Sequence, residues 1–281
     1  MTDRANAPGR PKRSLAQNFL VDPNIQRRIV SELDAREGDA VLEIGPGQGA
    51  LTGHLVGRVS RLTAVEKDED LAGALRERWG AEPGVEIVSG DALKIDLCQF
   101  ARAAAAEGCD LLAVSNVPYN IISPIIFTLL DIQPAPKVIV LMVQHEVAER
   151  MAAAPGGRCY GALSVGVQAA ATVSMRFRVG RMAFRPVPRV DSAVVRLEPR
   201  SASPRRPSPS ALRQITRACF NRRRKQMGTI ARTAPEFRRS GRAVLEQLGI
   251  DPSCRPETLS PEIFLQMTDL LAHDPDQPTG A

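Results

Sequence analysis

The sequence predicts an α/β fold, with a doubly wound and mostly parallel sheet followed by a small all-helical domain. From residue 22 to about residue 144, short apolar runs alternate with segments whose apolar residues recur at helical spacing. Such alternation is typical of parallel sheets with right-handed helical crossovers. Beyond residue 199, a stretch rich in serine and proline precedes segments with helical spacing only. The 281 residues suffice for one large domain and one small one.

The first helix is predicted to begin at Asp22-Pro23, where an N-cap acid precedes a first-turn proline. The residues before it, from Gln17 to Leu20, are predicted to form a loop. Five apolar runs then predict strands, at residues 41–44, 62–65, 85–88, 111–114 and 137–144. Helical spacing between them predicts crossover helices that begin near residues 51, 68, 97 and 121.

The second half of the chain is less regular. After a loop at 153–157, a helix rich in small residues is predicted at 161–171, and strands at 173–179 and 193–197 are expected to pair antiparallel at the edge of the sheet. The proline-rich stretch between these strands, 184–192, is predicted to be an extended loop. The predicted domain plan is a basic flexible arm (1–14), a catalytic domain (15–199), a linker (200–210), a helical domain (211–272) and a disordered tail (273–281).

Basic residues are concentrated in one segment. The chain has a formal net charge of +6, but residues 200–242 hold thirteen Arg or Lys against Glu236 alone, a local net charge of +12. A solvated helix face would normally intersperse acids among the bases. The nearly acid-free segment therefore predicts a polyanionic partner, usually nucleic acid.

Several classes of protein are excluded by composition and spacing. No apolar run is long enough to span a membrane, and the first fourteen residues do not resemble a secretory signal. The five scattered cysteines include no C-x-x-C pair, which favours a cytoplasmic chain. Because the three histidines lack ligand spacing and no Gly-x-Ser-x-Gly turn is present, we predict no metal site and no hydrolytic triad.

Polar and glycine residues follow several of the predicted strands, where a ligand cleft is expected. The first is followed by Gly45-Pro46-Gly47-Gln48-Gly49, whose third glycine comes one residue too early for a nicotinamide enzyme. Glu43 would repel a diphosphate, but it favours a cationic ligand such as S-adenosylmethionine, with its ammonium and sulfonium groups. At the next two strand ends, Glu66 is predicted to accept from ribose hydroxyls, and Asp91, beside Ala92, from an adenine amino group.

The run Asn116-Val117-Pro118-Tyr119 ends the fourth predicted strand. It combines an amide, a proline that fixes the backbone and an aromatic face, which suits it to hold a flat amine-bearing ring. An ordinary strand-to-helix turn is the alternative interpretation of the same residues.

Together these motifs resemble the ribosomal RNA adenine N6-dimethyltransferases of the bacterial small-subunit type. The resemblance runs from about residue 15 to residue 271 and also includes Gln17-Asn18-Phe19-Leu20, the Phe184-to-Ser192 loop and the basic run Arg222-Arg223-Arg224-Lys225. Family members usually have Leu where this chain has Val117. The resemblance implies a Rossmann-like domain dependent on S-adenosylmethionine, with a small C-terminal helical domain.

The resemblance also implies roles for individual residues. Cofactor contacts are expected from Asn18, Leu20, Glu43, Gly45, Gly47, Glu66, Asp91, Ala92 and Asn116. The Asn116 side chain and the Pro118 carbonyl would accept from adenine N6, while Tyr119 and Phe184 would stack on the base. The run Arg222 to Lys225 would contact RNA phosphates.

The implied activity is dimethylation of two adjacent adenosines near the 3′ end of 16S rRNA, in an assembling small ribosomal subunit. The partner is thus 16S rRNA, and we expect a monomer with neither metal nor membrane. Two alternatives stay open: a related 23S rRNA dimethyltransferase that confers antibiotic resistance, and a ribosome-assembly factor that mainly binds RNA.

Overall fold

The structure, a computed structural model, describes residues 18–116, 121–200, 207–237 and 240–272. Several predictions fall outside these ranges: the basic arm at 1–14, most of the linker, the tail at 273–281, and the roles of Val117, Pro118 and Tyr119.

The described residues divide into two compact units. One holds the described residues up to Ala148 together with Thr172–Pro199, and the other holds Glu149–Ala171 together with those from Arg200 onward. The sequence pattern predicts a single boundary at residue 199. The segment Glu149–Ala171 instead groups with the C-terminal helices, because Tyr160, Val165 and Ala169 belong to their apolar core.

Within the described residues, the first unit contains nine strands, one of which begins at Ala171, where the first segment of the second unit ends. They are β1 (Phe19–Leu20), β2 (Ala40–Ile44), β3 (Arg61–Glu66), β4 (Val85–Ser89), β5 (Leu111–Asn116), β6 (Val138–Gln144), β7 (Ala171–Val179), β8 (Phe184–Arg185) and β9 (Ser192–Pro199). Its helices are α1 (Pro23–Ser31), α2 (Thr52–Leu55), α3 (Glu69–Trp79), α4 (Cys98–Ala106), α5 (Ile122–Leu130) and α6 (His145–Ala152), the last of which runs on into the second unit.

Seven strands form one sheet in the order β4-β3-β2-β5-β6-β9-β7. The pairs from β4 to β6 are parallel, and β9 pairs antiparallel with β6. The chain winds outward from β2 through β3 to β4, then returns to the other side of β2 as β5. This reversal makes the carboxyl ends of β2 and β5 the topological switch point, where such sheets bind ligands.

Both faces of the sheet are covered, as a doubly wound fold requires. Alternate residues of β5 and β6, such as Leu112 and Val140, share an apolar cluster with Ile29 of α1 and Leu55 of α2. The intervening residues Ala113, Ile139 and Leu141 point to the opposite face, because successive strand residues alternate. They are also fully buried. The predicted α/β class with a mostly parallel sheet is therefore confirmed.

Two predicted loops contain a strand instead. Phe19 pairs with Arg185 and Leu20 with Phe184, so that β1 and β8 form a two-stranded antiparallel ribbon. The prediction of loops at 17–20 and at the start of 184–192 was wrong on these residues, because a two-residue strand carries too little alternation to detect. Helix α6 was also missed, since it begins directly after β6 without a turn residue.

The second unit is helical and has its own apolar core. Its helices are α7 (Ala162–Ala170), α8 (Pro209–Phe220), α9 (Met227–Thr233), α10 (Gly241–Gln247) and α11 (Pro261–Ala272). Phe237 and Phe264 are fully buried there, and the Tyr160 hydroxyl donates to the Leu259 carbonyl at 2.8 Å. Burial raises the pKa of the Cys219 thiol to about 12, which keeps it a protonated core residue.

Candidate active site

The carboxyl ends of four neighbouring strands bring the predicted site residues together. Ile44 of β2 is in register with Ser115 of β5 and Val65 of β3, so Gly45, Asn116 and Glu66 follow at adjacent positions. On the far side, Gly90 after β4 donates its N–H to the Glu66 carbonyl at 2.8 Å. Residues that are distant in sequence therefore line one edge of the sheet.

The turn after β2 requires glycine for two different reasons. Gly45 and Gly49 both have positive φ, of 68° and 81°, which side-chain-bearing residues rarely adopt. At Gly45, an added Cβ would meet no atom of the described residues within 4 Å, so among these residues the backbone borders open space. At Gly49, the same atom would lie 2.3 Å from the Trp79 ring. The first glycine thus leaves room for a ligand, and the second lets the turn pack on α3.

Glu66 joins β3 to the glycine turn. One carboxylate oxygen accepts the Gly47 N–H at 2.9 Å, and the other accepts the Asp68 N–H at 2.8 Å. Burial raises the pKa of Glu66, against the lowering effect of these backbone donors. A carboxylate has about four lone-pair sites, so Glu66 can still accept hydrogen bonds from hydroxyl groups.

Glu43 is fully buried beneath the same turn. Its carboxyl group accepts the Thr52 hydroxyl at 2.7 Å, which ties β2 to the start of α2. Burial raises the pKa of Glu43 to about 7, and neighbouring Glu66 adds to the increase. The negative charge that the sequence predicts at Glu43 is therefore only partly present near neutral pH.

Asp91 lies just beyond β4 and is held by two donors. Lys67 contacts one carboxylate oxygen at 2.9 Å, and the Leu93 N–H donates to the other at 3.0 Å. The Lys67 ammonium group and the Leu93 N–H lower the pKa of Asp91, which stays ionised. The next residue, Ala92, is buried.

Asn116 ends β5 and contacts the β1 segment. Its side-chain nitrogen donates to the Asn18 carbonyl at 3.4 Å, which leaves the side-chain oxygen as an acceptor. Just before it, the Ser115 hydroxyl donates to the Ile44 carbonyl at 2.7 Å and joins β5 to β2. Leu20, the other predicted residue of this segment, is buried.

Phe184 lies in the apolar core of the first unit. Its side chain is 1% exposed and shares a cluster with Leu20, Phe177 and Val179. A stacking role for Phe184 therefore requires its ring to be uncovered when a base arrives.

The strand-end residues fit S-adenosylmethionine. Open space at Gly45 admits a ligand against the backbone, while Glu66 and Asp91 offer acceptors at successive strand ends. In the described ranges, no cluster of three His, Cys, Asp or Glu side chains is arranged to hold a metal ion. Within those ranges, too, no helix combines the length and apolar character needed to cross a bilayer.

The four residues of the predicted RNA-contacting run differ in their contacts. Arg222 donates to the Ala218 carbonyl at 3.2 Å, while Arg223 donates to the Arg158 carbonyl at 3.1 Å and lies 3.7 Å from Glu257. Arg224 and Lys225 are exposed. The first two arginines therefore also brace the turn, and the other two are presented to solvent.

Three contributors to the site are not among the residues whose roles the sequence predicts. Thr52 binds Glu43, Lys67 binds Asp91, and the Phe19 ring lies 3.2 Å from where a Cβ on Gly47 would be. Lys67 carried a signal because it directly follows a strand-end acid, and Phe19 because it lies in the Gln17-to-Leu20 motif. The contact of Thr52 depends on packing that periodicity does not encode.

Comparison with known proteins points to one family. The family model described as ribosomal RNA adenine dimethylase matches residues 9–273. A ribosomal RNA small subunit methyltransferase A from Pseudomonas aeruginosa is 40% identical over 268 residues, which cover 95% of this chain and 96% of that protein. A protein of the same name from Chlorobaculum parvum is 40% identical over 276 residues, with 96% and 94% covered.

Solved structures share the fold over most of the chain. A dimethyladenosine transferase from Plasmodium falciparum superposes with a TM-score of 0.75 at 27% identity, covering 89% of this chain and 95% of that one. The 23S rRNA methyltransferase ErmE gives a TM-score of 0.62 at 26% identity, with 90% and 99% covered.

Proposed function

The chain belongs to the ribosomal RNA adenine dimethylase family, and on that premise we propose that it dimethylates two adjacent adenosines near the 3′ end of 16S rRNA. The enzyme is an rRNA methyltransferase that uses S-adenosylmethionine. The small-subunit assignment is supported by relatives of that name at 40% identity, whereas the 23S enzyme ErmE is 26% identical.

One observation carries the chemical part of the proposal. The glycine turn after β2 and Asn116 at the end of β5 occupy neighbouring positions at the switch point of the sheet. A cofactor against Gly45 and a base against Asn116 would thus be adjacent. Such proximity supplies much of the acceleration of a bimolecular transfer.

Each cofactor contact has a defined chemical task. S-adenosylmethionine supplies, when bound, an electrophilic methyl group on a sulfonium centre. Glu66 accepts hydrogen bonds from its ribose hydroxyls, and Asp91 accepts from its adenine amino group. Asn18, Leu20, Gly47 and Ala92 complete the lining, and the ionised fraction of Glu43 favours the cationic end.

The target adenine N6 is a weak nucleophile, because its lone pair is delocalised into the ring. The Asn116 side-chain oxygen accepts one N6 hydrogen and so favours a pyramidal nitrogen, while Asn116 donates to the Asn18 carbonyl on its other side. As the resemblance implies, the Pro118 carbonyl is the second acceptor. The rings of Tyr119 and Phe184 are the stacking faces. The N6 proton is lost readily once the nitrogen carries the methyl group, so no strong general base is required.

The C-terminal unit is proposed to dock the RNA. Residues 200–242 carry a net charge of +12, and within them Arg224 and Lys225 are exposed. Phosphate contacts of this kind position RNA without reading its sequence. The proposed partner is 16S rRNA in a cytoplasmic precursor of the small subunit, bound by a monomer of this chain.

The test compares ribosomal RNA from cells with and without the protein by mass spectrometry. Two dimethyladenosines are expected to disappear from 16S rRNA; if none does, the proposal is wrong. In vitro, the wild type is expected to methylate small-subunit particles from the deletion strain, with Asn116→Ala as the inactive control. Activity confined to large-subunit particles would instead identify the 23S alternative.

The assembly-factor alternative makes a different prediction for Glu66→Ala. A protein that acts only by binding RNA would support particle assembly equally well with this variant and would show no methylation even as wild type. An enzyme loses methylation in the variant, whatever its effect on assembly.

A further inference from the structure

The β1 segment contacts both halves of the active site. Its Phe19 ring lies 3.2 Å from the position of a Cβ on Gly47, and its Asn18 carbonyl accepts from the Asn116 side chain. The position of β1 therefore affects both the cofactor turn and the acceptor for adenine N6.

β1 is a short strand at the edge of the first unit's described residues. Its two residues pair with β8, and the adjoining Val21 N–H donates to the Ala183 carbonyl at 2.8 Å. A two-residue ladder is marginal by itself. Additional anchoring comes from the Gln26 side chain in α1, whose nitrogen donates to the Leu20 carbonyl at 3.0 Å.

The other end of the same amide reaches α2. The Gln26 side-chain oxygen lies 3.2 Å from Nε2 of His54. Since a carbonyl oxygen only accepts, the Gln26 nitrogen must face Leu20 and its oxygen must face the ring, so His54 carries its hydrogen on Nε2. Partial burial lowers the pKa of His54, helped by Arg27 and Arg58, which keeps the ring neutral.

His54 belongs to the short helix that follows the glycine turn. The same helix is fixed on its other side by the bond from Thr52 to Glu43. Gln26 thus connects β1, whose Phe19 ring lies against Gly47, to α2, which follows the glycine turn. We propose that Gln26 is a positioning residue of the methyl transfer, which sets the separation between β1 and the glycine turn.

This inference rests on the proposed function, but its test measures cofactor binding without RNA. Gln26→Met removes both hydrogen bonds at similar size and is expected to weaken S-adenosylmethionine binding by calorimetry roughly tenfold. His54→Phe removes one partner and should weaken binding less. The matched control is Gln99→Met, at an exposed position of α4.

Comparing a double variant with the single variants separates a positioning role of Gln26 from a purely stabilising one. If Gln26 acts by bridging, the double variant Gln26→Met/His54→Phe binds the cofactor no more weakly than Gln26→Met alone. Additive losses, or an affinity within twofold of wild type despite a lower melting temperature, would overturn the proposal. If Gln26→Met does not fold, Gln26→Glu replaces it, because it keeps the length and loses the donor to Leu20.

Failure of the proposed function would give a different result from failure of the role proposed for Gln26. In that case the wild type binds S-adenosylmethionine but does not methylate small-subunit particles, and the order of cofactor affinities among the variants still decides the role of Gln26.

Discussion

The carboxylate of Glu66 accepts the backbone N–H of Gly47 at 2.9 Å and thereby joins the end of β3 to the turn that follows β2. Its second oxygen accepts the Asp68 N–H at the start of α3. The residue that we propose to hold the ribose is therefore also a brace of the glycine turn.

Glu66→Gln is expected to weaken S-adenosylmethionine binding roughly 100-fold, since hydrogen bonds to a charged group are the stronger ones. The introduced amide nitrogen would also face one of the two backbone donors. Calorimetry measures the affinity, with Glu77→Gln on the exposed side of α3 as the control. An unchanged affinity would leave Glu66 a structural brace only.

Alanine substitutions at Gly45 and Gly49 should separate an effect on cofactor binding from an effect on protein stability. Gly49→Ala drives a Cβ to within 2.3 Å of Trp79, so we expect a loss of more than about 2 kcal/mol in the free energy of unfolding. Gly45→Ala has the same backbone strain, about 1 kcal/mol, but its Cβ enters open space, so cofactor affinity should fall most. Urea unfolding and calorimetry measure the two effects, and the reverse ranking would contradict this assignment.

How much the sequence predicted depends on the kind of contact. Glu66, Asp91 and Asn116 were located because strand ends in a parallel sheet share one edge, and that rule needs only the order of the strands. The contact between Asn116 and Asn18 spans 98 residues and involves a strand too short for periodicity to detect. Burial of Phe184 was likewise beyond the sequence, because an aromatic residue in a proline-rich loop suits either a core or a stacking face.

The pH dependence of stability should show whether the buried Glu43 carboxyl group is protonated. Burial raises the folded-state pKa of Glu43 to about 7 from 4.5, so its contribution to stability is fully present below pH 4.5 and is lost as the pH rises through 7. Between pH 4.5 and pH 7, the free energy of unfolding of Glu43→Gln should therefore rise by about 3 kcal/mol relative to wild type, at 1.36 kcal/mol per pKa unit.

Urea unfolding of wild type and Glu43→Gln at acidic and mildly alkaline pH measures this difference. Glu82→Gln, at an exposed position, should show no such trend. A constant difference between Glu43→Gln and wild type across the range would mean that the pKa of Glu43 is the same in the folded and unfolded chains.

The basic run should separate into two functional pairs. The double variant Arg224→Gln/Lys225→Gln is expected to reduce the dependence of RNA affinity on salt by about two counterions without loss of stability. Arg223→Gln should also lower the melting temperature, because it loses the Glu257 and Arg158 contacts. RNA titrations at several salt concentrations test this, and an unchanged salt slope in the double variant would exclude direct phosphate contact.

Asn116→Ala should separate chemistry from docking. The variant loses the acceptor for adenine N6 and the donor to the Asn18 carbonyl, so we expect the methylation rate to fall by about 100-fold or more. RNA affinity should stay within about twofold, since phosphate contacts dominate it. Single-turnover methylation and RNA titration provide the two readouts, with Asn24→Ala at an exposed position of α1 as the control. Equal losses in both would mean that Asn116 supports the fold of the strand end rather than the nucleophile.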